Sequence, residues 1–423
     1  MQIAQNGVKW LFLDLNSYFA SVEQQENPDL RGRPVAVVPM PTETTCAIAA
    51  SYEAKAYGVK TQTKIYEARK MCPGLRCVLA RHDVYVDYHH KILSEVVKHT
   101  PIHQVCSVDE LASRLTLKHQ SAEAAIDLAK RIKAGIHEHV GEVINCSIGL
   151  APNGFLAKVA TNMQKPDGLV VLEGKNLPGP LLDLDLMDLP GINRNMLKRL
   201  NRCGVWSVED LWALSPKAAR KVWGSGGGER FWYKLHGYEI PDPVTNPSMV
   251  GHSRMLDPKM RDPYNARQIA RRLTFKAVTR LRRKGFYATY FRLSVRTPDR
   301  QKWGYDMRMS PPARDAASFL ETLECLWQMM LESLKPYRFL KVSVSMHGLK
   351  QKAQITGDLF HQESHETSKL IKRRDKLSEA VEDINKKFGH DSIAMGIPPK
   401  TIAGYVGTKI AFNRVPDIEE FRE

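Results

Sequence analysis

Two stretches of the sequence, WLFLDLNSYFASVE at residues 10–23 and VCSVDELA at residues 105–112, place acidic side chains directly after apolar ones. Asp14 follows four large apolar residues, and the adjacent Asp109 and Glu110 follow a segment that contains two valines. Burying an ionised carboxylate is costly unless a positive group pairs with it. The pattern therefore predicts a cationic partner for these three acids, although on spacing alone they could also belong to a turn or a helix cap.

The surrounding pattern of apolar residues predicts a domain of mixed strands and helices. Apolar runs and helical periodicity predict strands at 8–14, 35–38, 103–108 and 143–152, and helices at 84–99, 121–138 and 154–163. The strands and helices do not alternate in strict βαβ units. A mixed α+β sheet is therefore expected.

The second half of the sequence predicts a helical region, a linker and another α+β domain. Short helical pieces separated by Gly and Pro follow residue 181, and the proline-rich stretch GYEIPDPVTNPSM predicts an exposed linker. Beyond it the pattern predicts a basic helix at 264–284, strands near 287–296 and 339–346, a helix at 313–334 and a tail helix at 376–388.

The charge of the chain is concentrated in one segment. The net charge is +16, and residues 251–350 hold 21 Lys and Arg against 8 Asp and Glu. A basic surface on that scale indicates a polyanionic partner, most simply nucleic acid. A solvated lysine-rich face is the alternative that charge alone leaves open.

Composition excludes several classes of protein. The longest apolar runs are too short for a membrane span, so no membrane association is expected. The N-terminal residues lack the pattern of a secretory signal. The seven scattered cysteines include no pair with zinc-ligand spacing, which favours a reduced, cytoplasmic setting.

Five sequence motifs occur in the order and spacing typical of one polymerase family. They are FLDLNSYFASVEQQENPDLRGRPVAV, SYEAKAYGVK, CSVDE, SIGLAPNGFLAKVATNMQKPDGL and LPGINRNMLKRLNRCGVWSVEDL. The chain resembles the Y-family translesion DNA polymerases, most closely the bacterial DNA polymerase IV branch. The resemblance extends over about residues 8–350.

The resemblance implies an α+β multidomain, right-hand polymerase. It implies a palm at 1–27 and 82–172, fingers at 28–81, a helical thumb with a helix-hairpin-helix at 173–243, a linker at 244–252, an α+β little finger at 253–350 and a tail at 351–423. It also implies template-directed transfer of a dNTP onto a primer 3′-hydroxyl during copying of damaged DNA. Primer-template DNA would be the partner of a monomeric enzyme.

The resemblance also explains the three acids that follow the apolar runs. Asp14, Asp109 and Glu110 match the catalytic metal-binding acids, and the carbonyl of Leu15 would add a ligand. Oxygen ligands suit magnesium, and two such ions would activate the attacking hydroxyl and steady the leaving phosphate.

Five further residues match positions that contact the incoming nucleotide. Phe19 would be the steric gate that excludes a 2′-hydroxyl, and Tyr18 beside it would lie under the base or sugar. Tyr52 and Lys55 match fingers residues that touch the triphosphate, and Lys165 matches a lysine that reaches it from the palm. Without the motifs, Phe19 would be a core aromatic and both lysines solvated surface residues.

Three features depart from the family pattern. Residues Leu111–Arg114 after the acids replace the usual small, aromatic, aliphatic and acidic residues, and Lys55 stands where arginine is usual. Lysine cannot make the planar fork of arginine. The stretch QITGDLF only partly matches a sliding-clamp peptide, through Leu359 and Phe360.

The acids and the basic charge leave two alternatives to a polymerase. A non-catalytic relative that binds DNA or polymerases as an adaptor would typically have lost the acids, which this chain keeps. A two-metal nuclease would explain the acids and the charge, but neither Phe19 nor Lys165.

Overall fold

The computed structural model describes residues 7–241, 243, 246–335, 337–355, 365–388, 392–393, 410 and 415. The chain divides into two compact units between residues 242 and 243, and Ile410 and Val415 belong to the first. Among the described residues, no helix has both the length and the apolar character that crossing a membrane requires.

The described residues of the first unit contain eight strands and ten α-helices. Its strands are β1 Trp10–Leu15, β2 Val35–Val38, β3 Ala49–Ala50, β4 Arg76–Leu79, β5 Gln104–Val105, β6 Glu110–Arg114, β7 Cys146–Ala151 and β8 Leu169–Val171. Its helices are α1 Tyr18–Glu26, α2 Tyr52–Ala56, α3 Ile65–Met71, α4 His82–His99, α5 Ala122–His139, α6 Gly154–Met163, α7 Arg194–Arg202, α8 Val208–Ala213, α9 Pro216–Trp223 and α10 Gly226–Leu235.

The central sheet of the first unit determines where its acids lie. Five strands pair in the order β5-β6-β1-β7-β8. Successive side chains of a strand point to opposite faces. Leu11 and Leu13 of β1 accordingly enter the core formed with α4 and α5, whereas Phe12 joins the core that includes α6. Asp14 therefore belongs to the face of Phe12.

Helix α6 packs very closely on the central sheet. A Cβ atom at Gly149 of β7 would lie 2.0 Å from the carbonyl oxygen of Ala157. No larger residue could occupy this position without moving the helix. Glycine at this position therefore allows α6 to lie close against the central sheet.

A smaller three-stranded sheet, in the order β3-β2-β4, supports the short helix α2. Ser51 begins this helix: its hydroxyl accepts hydrogen bonds from the N–H groups of Ala54 at 3.3 Å and Val35 at 3.0 Å. Side-chain acceptors of this kind satisfy N–H groups left open at a helix start. The bonds tie α2, with Tyr52 and Lys55, to strand β2.

Helices α7 and α8 lie where the resemblance implies a helix-hairpin-helix. The amide oxygen of Asn193 caps α7 by accepting from Asn195 and Met196 at 3.0 Å each. Gly191 and Gly204 both have positive φ, at 98° and 80°, which glycine adopts without steric penalty. The turns before and after α7 therefore depend on glycine.

The second unit is a four-stranded sheet with helices on one face. Its strands are β9 Met249–Met255, β10 Phe286–Arg296, β11 Lys302–Ala313 and β12 Lys341–Gln351, paired in the order β11-β10-β12-β9. Its helices are α11 Pro263–Arg283, α12 Ala316–Leu334 and α13 His365–Phe388. Buried residues of β10, α11 and α12 share one core, so the α+β fold class is confirmed.

The predicted strand at 103–108 is wrong in position. Only Gln104 and Val105 are in a strand, and both are exposed. The chain then turns, with the N–H groups of Cys106 and Ser107 both donating to the carbonyl of Glu110 at 2.9 and 3.1 Å. The apolar residues of this segment lie in and around a turn, and the buried strand begins only at Glu110.

Two strands of the second unit were not predicted. Strand β11 contains two consecutive prolines, and β9 occupies part of the predicted linker at 244–252. Both lie at the edges of the sheet. An edge strand tolerates proline and needs little apolar character, so its sequence gives a weak signal.

The chain after residue 350 is not entirely a separate tail. Helix α13 begins at residue 365, earlier than the predicted 376, and Ser378 and Val381 on it are buried. The Ser378 hydroxyl accepts from the N–H of Ala316 at 3.2 Å. Asp375 forms ion pairs with Arg282 and Arg314, so α13 belongs to the second unit.

Candidate active site

The end of β1 brings the three predicted acids together, although 95 positions separate Asp14 from Asp109 in the sequence. Asp14 lies directly opposite Glu110 in the antiparallel pairing of β1 with β6. The N–H of Leu15 donates to the carbonyl of Asp109 at 2.9 Å. Asp14 is only 8% exposed. The sheet register, rather than any local motif, therefore gathers these carboxylates.

Two lysines already pair with two of the acids. Lys165 Nζ lies 2.7 Å from Asp14 Oδ1, and Lys158 of α6 donates to Glu110 Oε1. Lys158 also lies 4.7 Å from the centre of the Phe12 ring. The sequence motifs predicted Lys165 for this site but gave no indication of Lys158. The packing of α6 on the sheet is what identifies Lys158.

Asp109 differs from the other two acids. Its carboxylate accepts a 2.5 Å hydrogen bond from the Ser107 hydroxyl, and among the described residues it forms no salt bridge. Burial raises the pKa of Asp109, and the charge of Asp14 adds to the increase. Burial also raises the pKa of Glu110, against the opposing effect of Lys158. Excess negative charge in a buried place favours binding of a further cation.

The donor set fits a divalent cation, although the carboxylates are not arranged around one. Within the described part of the chain, no group of three or more His, Cys, Asp or Glu side chains has a metal-binding arrangement. The reason is visible in the ion pairs, since Asp14 and Glu110 each face a lysine. Carboxylate oxygens are the ligands that magnesium prefers, and release of the lysines would free two of them.

Lys55 and Tyr52 of α2 lie beside the same acids. Lys55 donates to the Ser17 hydroxyl at 2.6 Å and lies 4.1 Å from the centre of the Tyr52 ring. Burial lowers the pKa of Lys55, and the nearby charge of Lys165 lowers it further. The two predicted lysines therefore lie close enough to act on one polyanion. Ser17, which the sequence motifs did not single out, holds one of them.

Phe19 is half-buried within a group of aromatic side chains. Its ring stacks on Tyr85 with centroids 4.3 Å apart and an angle of 14° between the planes. The ring of His82 meets it edge-on at 6.0 Å. The Tyr85 hydroxyl donates to Glu23 at 2.6 Å. The Phe19 ring therefore packs on Tyr85, which is itself held in place by its hydrogen bond to Glu23, and a steric gate needs such support.

The predicted contact of Tyr18 with the base or sugar needs correction. Tyr18 is 3% exposed, and its hydroxyl donates to the carbonyl of Tyr85 at 2.6 Å. Residues 18 and 19 begin helix α1, so their side chains point about 100° apart around the helix. Tyr18 therefore belongs to the core, and the half-buried Phe19 ring points in a different direction.

Residues Leu111–Arg114, which depart from the family pattern, belong to strand β6. Leu111, Ala112 and Ser113 are all buried, and the Ser113 hydroxyl has no hydrogen-bond partner among the described residues. Arg114 is exposed and pairs with Glu239 at 3.1 Å. The strand beneath the acids is therefore intact, and its charged end contacts the residues after α10.

Leu359 and Phe360, the residues of the possible clamp peptide, lie outside the described residues. Their predicted role stays a prediction.

Comparison with known proteins identifies the family. The model of the impB/mucB/samB family matches residues 13–162, and the model of its C-terminal domain matches residues 247–359. The acids, Phe19, Tyr52 and Lys55 all lie within the first match. Lys165 lies three residues beyond its end.

Relatives of known identity span most of the chain. DNA polymerase IV of Moorella thermoacetica is 30% identical over 387 residues, which cover 90% of this chain and 93% of that protein. DNA polymerase IV of Saccharolobus solfataricus is 33% identical over 263 residues, 61% of this chain and 72% of the relative.

The fold agrees with that of solved polymerases. A Y-family chimera of Dbh and Dpo4 superposes with a TM-score of 0.69 at 23% identity, over 81% of this chain and 99% of the chimera. The crystal structure of DinB from Sulfolobus solfataricus gives a TM-score of 0.51 at 25% identity, over 80% and 98% of the two chains. The chain therefore belongs to the impB/mucB/samB family of Y-family DNA polymerases.

Proposed function

We propose that the protein is a template-directed DNA polymerase of the translesion type, which adds a dNTP to a primer 3′-hydroxyl. The observation that carries this proposal is the register of Asp14 with Glu110, with Lys165 paired to Asp14 and Lys55 bound to Ser17, two residues before Phe19 in the chain. Acids, triphosphate-binding cations and a sugar gate at one sheet end are the parts that this reaction needs.

The lysines of the site have a role that follows from their chemistry. A lysine is a mobile point charge, well suited to phosphate. Lys165 and Lys55 would turn from Asp14 and Ser17 to the triphosphate when a nucleotide enters. Tyr52 would support Lys55 from below, because its ring already lies under the ammonium group.

Two magnesium ions would bind to Asp14, Asp109, Glu110 and the carbonyl of Leu15. When bound, they would lower the pKa of the primer hydroxyl and stabilise charge on the phosphates. The protein's own part is positioning. The sheet holds the acids, and the Phe19 ring, backed by Tyr85, excludes a ribose 2′-hydroxyl.

Primer-template DNA is the proposed partner, with much of its affinity coming from the second unit. On β10, Tyr290, Arg292 and Arg296 alternate with the buried Phe291 and Leu293. Their side chains therefore lie on the face that the helices leave uncovered. A sheet face with several Arg and Lys side chains suits a phosphate backbone.

Primer extension on an undamaged template, followed by one on a template with a lesion, tests the proposal. We expect dNTP- and magnesium-dependent extension on both templates. Absence of extension by folded protein, with DNA binding retained, would favour the adaptor alternative. Degradation of the primer instead of extension would favour the nuclease.

We further propose that the protein works as a monomer in the bacterial cytoplasm at the nucleoid, where its substrate lies.

We also propose that Leu359 and Phe360 contact a sliding clamp. Two apolar anchors in a short peptide are a common mode of insertion into a groove. Replacing both by Ala should leave basal extension unchanged and remove stimulation by the clamp. Loss of basal extension would contradict this role.

A further inference from the structure

The turn that carries Lys165 has to be fixed if its ammonium group is to reach both Asp14 and a triphosphate. This turn joins α6 to β8 at Gln164–Gly168 and contains none of the residues of the sheet itself. A Cβ atom at Gly168 would lie 1.8 Å from the carbonyl oxygen of Gln164. The turn is therefore tight, and its position depends on what holds it to the sheet.

Asn16 holds this turn through its side-chain amide. Its Oδ1 accepts from the N–H of Asp167 at 2.7 Å, and its Nδ2 donates to the Ser147 hydroxyl at 3.1 Å. Ser147 in turn accepts from the N–H of Gly168 at 3.2 Å. Asn16 is 2% exposed and Ser147 is fully buried. Both ends of the amide are therefore used inside the protein.

The position of Asn16 in the chain connects it to the rest of the site. It lies two residues after Asp14 and directly before Ser17, which holds Lys55. Its own backbone is fixed independently, since its N–H donates to Asn145 at 2.8 Å and its carbonyl accepts from Ser21 at 2.7 Å. The side chain is therefore free to serve the turn.

We infer that Asn16 is a positioning residue, which fixes through its amide the turn that carries Lys165 and so sets the reach of this lysine to the nucleotide triphosphate. This inference rests on the proposed function. Asn16 touches no reacting atom, and its effect on the reaction passes through Lys165. Small displacements of a positioned group cost large factors in an enzyme reaction.

The test is a double-mutant cycle between Asn16→Ala and Lys165→Ala. With saturating primer-template, Asn16→Ala should raise the KM for dNTP about 10- to 100-fold. In the Lys165→Ala background the same change should have no further effect, because residues that act as a unit are not additive. Binding of dNTP to the enzyme with a dideoxy-terminated primer should follow the same pattern.

Two further variants separate positioning from stability. Glu95→Ala removes a buried carboxylate whose ion pairs with Lys98 and His139 involve neither Asn16 nor the turn, so it should lower the melting temperature and leave the KM unchanged. Asn16→Asp keeps the oxygen acceptor for Asp167 but loses the Nδ2 donor to Ser147, so its KM for dNTP should lie between those of the wild type and Asn16→Ala.

The outcomes distinguish this inference from the proposed function. A wild-type protein that neither binds nor adds dNTP would refute the polymerase proposal. An active wild type in which the effects of Asn16→Ala and Lys165→Ala multiply would overturn only the role of Asn16. An equal rise in KM for Glu95→Ala would also overturn it.

Discussion

The two units carry opposite charges in different arrangements. Acids lie at one end of the central sheet of the first unit, and basic side chains lie on the uncovered sheet face of the second unit. At the first, buried acids are held by register, ion pairs and single hydrogen bonds. At the second, Arg296 of β10 lies between Lys302 and Lys341 of the neighbouring strands. The first depends on the geometry of a few groups and the second on the sum of many charges.

The largest effect is expected from replacing Asp109 and Glu110 by Ala. Loss of metal ligands removes several kcal/mol of transition-state stabilisation, so the rate of primer extension should fall by about 10³ or more. Affinity for DNA should stay close to that of the wild type. Asp127→Ala with Glu138→Ala, at exposed positions of α5, is the control. Extension at the wild-type rate would refute the assignment of the acids.

The next effect concerns selection between deoxyribonucleotides and ribonucleotides at the candidate active site. Phe19→Ala should admit ribonucleotides, because the ring that fills the space beside the sugar is removed. A steric conflict of this kind costs typically about 1–3 kcal/mol, so discrimination against ribonucleotides should fall about 10- to 100-fold. The ratio of kcat/KM for dNTP and rNTP measures it. An unchanged ratio would mean that Phe19 is only a core residue.

The third effect concerns the uncovered sheet face of the second unit. We expect the combined substitution Arg296→Ala, Lys302→Ala and Lys341→Ala to weaken DNA binding without changing kcat at saturating DNA. Each phosphate contact contributes about −0.9 to the slope of log affinity against log salt. Loss of three contacts would reduce the slope by up to about 2.7. Lys118→Ala with Lys130→Ala, in the first unit, is the control. Equal slopes for variant and wild type would contradict the role of this face.

The smallest effect is expected from Asp375, whose ion pairs stabilise the second unit. Burial alone would raise the pKa of Asp375, but hydrogen bonds from Arg314 and Arg282 outweigh it and lower the pKa. Asp375→Ala should reduce the free energy of unfolding of this unit by about 1–3 kcal/mol at pH 7. Extension at saturating DNA should stay unchanged.

The pH dependence of this effect has a definite sign. A carboxyl whose folded pKa is lowered contributes stability above its unfolded pKa and loses it as the pH falls through the folded value. The difference between Asp375→Ala and wild type should therefore shrink below about pH 4. Urea unfolding at several pH values measures it. A difference that is constant with pH would mean that charge plays no part.

Much of the fold could be predicted because burial imposes periodicity on the sequence. Helices α4, α5, α6 and α11 lie within two residues of their predicted bounds. Strands β9 and β11 were missed because these edge strands bury little. The turn at 106–109 resembles a strand in sequence because Val108 is buried in the core although it lies outside any strand.

The sequence by itself determined which residue types serve the site: three acids after apolar runs, an aromatic gate and lysines within recognisable motifs. Only the tertiary structure decided which of them meet. Lys158, Ser17 and Asn16 act through contacts between elements far apart in the chain, which no local pattern records. The tertiary structure also moved Tyr18 out of its predicted contact with the nucleotide, because helix α1 directs its side chain into the core.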